Sequence, residues 1–252
     1  MKSNLNIILA IAFLALAALA CQAVAGGGNN TAVPPADTAI VPVNPDDTNV
    51  PPVNTESPTQ SSTGNVLLSD DFSSAQWGTG TDTDSAVEYA NEALQFIVFT
   101  KNYFVWSTPN AQDYQNVHME VTVLNNGTDS TTGFGLMCHQ QADSKSSFYY
   151  LAMTPAGEYA IAKATAEQSD VFLTNNDQWA ASDLIQKDAA SYRVGADCRN
   201  DGTLILYVDG QEVASVSDVA YSNGGVAVFA WSGEEATNTN VSFDDFLMTE
   251  LQ

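Results

Sequence analysis

From Val66 onward the chain is a succession of short runs rich in Val, Ile, Phe, Tyr and Thr, broken by clusters of Gly, Asn and Asp. Runs of this length and make-up at this spacing predict an all-β sandwich rather than a helical domain. The segments 66–72, 85–89, 93–100, 103–107, 117–124, 133–140, 147–153, 158–165, 191–198, 203–208, 211–217, 224–230 and 240–249 read as strands. Thirteen strands need two stacked sheets. Four junctions carry hairpin chemistry: Asn91-Glu92, Pro155-Ala156-Gly157, Asn200-Asp201-Gly202 and Asp209-Gly210. Residues tolerant of positive φ allow tight reversals there, so successive strands should be antiparallel neighbours. On one strand Leu204, Leu206 and Val208 alternate with Thr203, Ile205 and Tyr207. Both faces then carry bulk, as suits a strand flanked on both sides. The one segment that reads as a helical turn is Ala180 to Lys187.

The first quarter of the chain has a different composition. Lys2 and the apolar run Ile7 to Ala20 form a signal peptide, too short and too early for a comfortable membrane span. The run ends in Ala18-Leu19-Ala20-Cys21, which resembles the bacterial lipobox. That resemblance implies cleavage before Cys21 and acylation of its thiol, with anchoring by more than a single chain. Ordinary cleavage near Ala23 or Ala25, discarding Cys21, is the alternative. Residues 22–64 hold seven of the nine prolines, a Gly26-Gly27-Gly28 run and no aromatic residue. So little apolar surface cannot offset the entropy of ordering, and the segment reads as a disordered tether. Its 43 residues would span roughly 35 Å as a coil and about 140 Å drawn straight. The expected division is residues 1–20 as signal, 21–64 as lipidated cysteine and tether, and 65–252 as one β domain, held at the cell membrane outside the cytoplasm.

Charge narrows the partners. The formal net charge is −23, and setting aside Lys2 and the tether's four acids leaves 26 acids against 6 bases in the domain. A field of −20 repels phosphate backbones and anionic headgroups, so nucleic acid is disfavoured as a partner and the membrane is reached through the lipid alone.

Several segments together carry a family resemblance: Asp70-Asp71-Phe72 then Trp77, Gly133-Phe134-Gly135-Leu136, Phe148-Tyr149-Tyr150, Leu204 to Gly210, and Val241-Ser242-Phe243-Asp244-Asp245-Phe246. They resemble the concanavalin A-like lectin/glucanase superfamily, a jelly-roll sandwich, and within it the laminin G-like and keto-disaccharide hydrolase-like branches. The resemblance implies carbohydrate as the partner. Glycosidases of that fold carry Glu-x-Asp-x-Glu or Glu-x-Asp-x-x-Glu on one strand, since period two aims alternate acids into one cleft. No such run occurs here. Glu120 is followed on its face by Thr122 and Leu124 and reads as a solvent-facing charge. A Gly-x-Ser-x-Gly elbow, a phosphate-binding glycine loop and a His-Glu-x-x-His motif are also missing from the sequence. His118 and His139 fall on separate strands, where a lone histidine is more often packed than catalytic. No catalytic residue is assigned, although the keto-disaccharide hydrolase resemblance keeps glycoside hydrolysis open.

Cys138 and Cys198 are the cysteines of the domain, and in an exported protein an isolated pair should oxidise if geometry permits. A pair of inert buried thiols is the alternative. Asp70-Asp71 opens the first strand and Asp244-Asp245 lies in the last. Related carbohydrate-binding sandwiches hold a structural calcium with acids so placed, which makes Asp70, Asp71, Asp244 and Asp245 candidate Ca2+ ligands; the alternative is that they are simply solvated.

Sugar rings expose apolar C–H faces that flat aromatic side chains capture, while amides and carboxylates nearby satisfy the hydroxyls. Tyr103, Trp106, Tyr149, Trp179 and Trp231 are the candidates, each near Asn, Asp or Glu in the sequence. Trp179 and Trp231 lead, since Asn175-Asn176-Asp177-Gln178 and Ser232-Gly233-Glu234-Glu235 suggest loops. Trp77 reads as a core plug. Three functions stay open: a tethered module binding polysaccharide or envelope glycan, a structural or protein-interaction domain of the envelope, and a glycan hydrolase. Aromatics clustered in the open on one face would favour the first.

Overall fold

The structure, a computed structural model, describes residues 64–234 and 239–252. The expected signal segment, Cys21 and the tether up to residue 63 lie outside the described residues. The described chain is all strand and turn: β1 (Val66–Asp70), β2 (Gly80–Thr81), β3 (Ser85–Ala90), β4 (Ala93–Val98), β5 (Phe104–Ser107), β6 (Val117–Asn125), β7 (Gly133–Gln140), β8 (Phe148–Met153), β9 (Glu158–Ala164), β10 (Val171–Phe172), β11 (Ala180–Ala181), β12 (Ser191–Cys198), β13 (Thr203–Val208), β14 (Gln211–Ser217), β15 (Gly225–Trp231) and β16 (Thr239–Glu250). Each of the thirteen expected segments matches one of these strands to within two residues at either end.

The two-residue strands β2, β10 and β11 were not expected, and β11 corrects the helical turn expected over Ala180 to Lys187. Ala180 and Ala181 instead pair with Tyr159 and Glu158 of β9. Beyond them a turn closes from the Ile185 N–H to the Ser182 carbonyl.

The strands form two antiparallel sheets. The first runs β14-β13-β12-β6-β16-β4-β3-β2, with β1 beside the second half of β16. The second runs β10-β9-β8-β7-β15-β5, with β11 beside β9. All four expected hairpins are present, joining β3 to β4, β8 to β9, β12 to β13 and β13 to β14. At Asn91-Glu92 both residues have positive φ, 55° and 60°, and Asp209-Gly210 has 51° and 77°. Paired positive angles twist a two-residue loop the way the flanking strands twist. Strand β13 is flanked on both sides, as its two bulky faces suggested.

The core lies between the sheets. It takes Val117, Met119, Val121 and Val123 from β6, Phe134 and Leu136 from β7, and Leu204, Leu206 and Val208 from β13, all essentially inaccessible. Each such side chain contributes roughly 1.5–3 kcal/mol by leaving water. A disulfide joins Cys138 of β7 to Cys198 of β12 and ties one sheet to the other across this core. Trp77 plugs one end, its ring centroid 5.3 Å from Phe72 and 5.0 Å from Phe246.

The four acids expected to share a cation do not gather. Asp70 is buried and spent within its own loop: its carboxylate accepts the Phe72 N–H at 2.8 Å and the Trp77 Nε1–H at 3.0 Å. Asp71 accepts from the Ser73 backbone and hydroxyl. Asp244 lies opposite Thr122, and Asp245 sits exposed on a bulge of β16 with φ 57°. Among the described residues no group of three or more His, Cys, Asp or Glu side chains is placed to hold a metal ion. The sequence showed two acid pairs at strand ends, but Asp70 and Asp71 are taken up by the turn after β1 and Asp245 stands exposed on the β16 bulge.

Candidate functional site

The second sheet buries both of its faces. Strands β7 and β8 have no exposed residue. Period two sends Tyr149, Leu151 and Met153 into the core and leaves Phe148, Tyr150 and Ala152 on the far face. Met137, Ala162, Ala164, Ala227 and Phe229 share that far face, with Phe104, Trp106, Phe172 and Trp179 packed against them. A sheet face turned away from the core normally meets water and carries polar residues. Here it is the floor of a groove of about 760 Å3.

The register explains its shape. Trp106, Phe229, Gly135, Ala152 and Ala160 lie in one row across β5, β15, β7, β8 and β9. The neighbouring row runs Ala227, Met137, Tyr150, Ala162 and Phe172 across β15, β7, β8, β9 and β10. In the first row Gly135, Ala152 and Ala160 keep the mid-sheet floor low, and in the second Met137 and Tyr150 rise from it. Phe104 stacks on Phe229 with centroids 4.6 Å apart and planes 17° from parallel. On the other flank of this wall it lies 5.8 Å from Phe148.

Trp179 and Trp231 form a stacked pair at one end, centroids 6.1 Å apart and planes within 15°. Trp231 closes β15, and its indole N–H reaches Asn102 Oδ1 at 3.3 Å. Trp179 precedes β11 in a turn where Asn175, Asn176 and Asp177 all have positive φ. Asn and Asp tolerate this conformation better than other side chains. The turn is tied by the Asn175 amide donating to the Trp179 carbonyl at 2.8 Å and by Asp177 accepting the Phe172 N–H at 2.7 Å. Gly133 lies beneath the pair: a Cβ there would stand 3.2 Å from the Trp231 ring and 3.6 Å from that of Trp179.

The groove's polar margin comes from Asn102, Ser146, the segment Thr165 to Asp170, and Glu234. Asp170 accepts the Tyr150 hydroxyl at 3.0 Å. Asp170 is exposed as a residue, but partial desolvation against the groove wall holds its carboxyl above the ordinary aspartate range, opposed by that hydrogen bond.

Of the five expected aromatics, the structure brings together three: Trp106, Trp179 and Trp231. Tyr103 is half-buried beside the groove and does not line it; its N–H donates to Ser232 Oγ. Tyr149 is a correction. It is fully buried in the core, its hydroxyl donating to Asp218, and it cannot meet a ligand. Its neighbour Tyr150 lies in the groove instead. Phe104, Phe148, Tyr150, Phe172 and Phe229 were missed. The signal that finds them is register: Tyr149 lies directly opposite Cys138, and a cysteine bridging two sheets must face the core.

Both histidines are held by partners within the fold. His139 is buried, with both ring nitrogens 3.0 Å from carbonyls, those of Tyr221 and Gln115. On the outer face of the first sheet His118 Nδ1 lies 2.6 Å from Asp197, and Nε2 lies 3.3 Å from Glu120 without hydrogen-bond alignment. Glu120 is thus not a solvent-facing charge: it is partly buried between His118 and Arg193, whose guanidinium lies 3.3 Å away.

No protein-family model matches this sequence, and no curated protein matches it. Solved structures do. The chain is similar to carbohydrate binding module CBM66 from Bacillus subtilis, at TM-score 0.53 and 13% identity over 69% of this chain and 96% of that one. A Bacillus subtilis protein of unknown function with a galectin-like fold superposes at TM-score 0.56 and 10% identity, covering 74% and 96%. β-Agarase A from Zobellia galactanivorans gives TM-score 0.53 and 13% identity, covering 75% and 92%. At these identities the likeness is one of fold, and it places this chain among the two-sheet antiparallel jelly-roll sandwiches.

Proposed function

We propose that the domain binds glycan in the aromatic groove of its second sheet, without assigning it a catalytic role, and that it does so tethered outside the cell by lipid on Cys21. One observation carries the reading: the sheet face that should be wet is lined by eight aromatic rings set around an alanine and glycine floor. Flat rings on a rigid sheet, with amides, hydroxyls and carboxylates at the margin, are what a sugar's apolar face and equatorial hydroxyls require. The likeness to a carbohydrate binding module and to an agarase supports the reading through the shared fold. Tethering is supported by the sequence before residue 64 alone.

Affinity electrophoresis of the purified protein through a panel of polysaccharides tests it. At least one polymer is expected to retard the protein, and Trp179→Ala and Trp231→Ala, each with an unchanged melting temperature, are expected to abolish the retardation. Retardation unchanged in both variants would move the preference to an envelope-interaction domain. Mass spectrometry of the native N-terminus tests the tether; the expected species is an acylated Cys21, and an unmodified terminus at a later residue rejects it.

A further inference from the structure

The groove carries charge of one sign. Glu167, Asp170 and Glu234 stand along its margin, and among the described residues lining it there is no Lys, Arg or His. The aromatic walls add to this, because the face of each ring is the negative end of its quadrupole. An uncharged sugar would satisfy the rings and offer hydroxyls to the carboxylates, yet leave their charge uncompensated. A uronate or sulfate would meet three acids and a domain of net charge near −20. An ammonium group satisfies both features at once, lying against a ring face with a carboxylate alongside.

Resting on the glycan reading above, we infer that the groove selects glycans bearing free amino groups, that is, polymers of deacetylated amino sugars. Trp179 and Trp231 provide the platform for the ring, and Asp170, fixed by the Tyr150 hydroxyl, receives the ammonium.

The test uses titration calorimetry of the intact protein with three soluble hexamers: glucosamine, N-acetylglucosamine and glucose, in 0.3 M salt to suppress nonspecific attraction between an acidic protein and a polycation. The glucosamine hexamer is expected to bind about tenfold more tightly than the other two. Asp170→Asn is expected to remove most of that preference. Glu88→Gln, which makes the same change in net charge at an exposed position of β3 in the other sheet, is expected to keep it. Equal affinity for all three hexamers, or an equal loss in Asp170→Asn and Glu88→Gln, overturns this inference and leaves glycan binding standing. Binding to none of them, joined to no retardation by any polysaccharide, overturns both.

Discussion

Tyr149 and Tyr150 are chemically identical neighbours that do opposite things, and only the parity of their strand separates them. Tyr149 donates its hydroxyl to Asp218, which also takes Lys163 Nζ at 2.8 Å, so the ring closes a polar seal over one end of the core. Tyr149→Phe removes that bond and leaves part of the acceptor unsatisfied. The expected cost is about 1–2 kcal/mol in urea unfolding, with glycan retention unchanged. Tyr150→Phe removes the equivalent bond to Asp170, so it should cost a comparable amount and, unlike Tyr149→Phe, weaken retention as well. His118 makes a second prediction at this scale. Burial opposes its charge, but the hydrogen bond to Asp197 and the contact with Glu120 outweigh burial and raise its pKa from 6.5 to about 9. A ring that holds its proton only when folded adds stability in full below pH 6.5, and that stability is lost as pH rises through about 9. Unfolding free energy should therefore fall across this window by something on the order of 3 kcal/mol, and His118→Gln should flatten the slope.

At the level of elements, the hairpins were legible because a positive φ is a local demand that Asn, Asp and Gly meet in place. The short strands β2, β10 and β11 were not, because two residues hold no periodicity and become strands only when a neighbour offers its edge. The same holds for the segment after Trp179, whose alanines favour helix in isolation but pair with β9 instead. Gly133 shows an element carrying the site. It starts β7 beneath the Trp179–Trp231 stack, and a branched side chain there must displace both indoles. Gly133→Val is expected to abolish the coupled-indole signal in circular dichroism and to weaken glycan retention at least as much as removing one tryptophan. Retention at parental strength would show that the pair is not the binding platform.

For the whole molecule, the Cys138–Cys198 bridge closes a loop with a sequence separation of 60 and fastens the two sheets together. Reduction is expected to cost on the order of 4 kcal/mol in the chain-entropy account. Because the loop spans both sheets, that loss should appear as one cooperative transition shifted to lower temperature, not as separate melting of one sheet. By itself the sequence determined the all-β class, the strands of more than three residues, the four hairpins and the pairing of the two cysteines. Each of these rests on local backbone preference, on period-two patterning, or on there being a single pair to join. It also picked out Trp106, Trp179 and Trp231 from the polar company they keep. Only the tertiary structure decided which face each strand turns inward, since β7 and β8 are apolar on both faces and alternation without contrast carries no direction. Only it turned the four aspartates away from a shared site and gathered rings from β5, β8, β10, β15 and the turn before β11 into one groove, because neighbours across a sheet are set by register between distant segments, and register is fixed by packing the whole core at once.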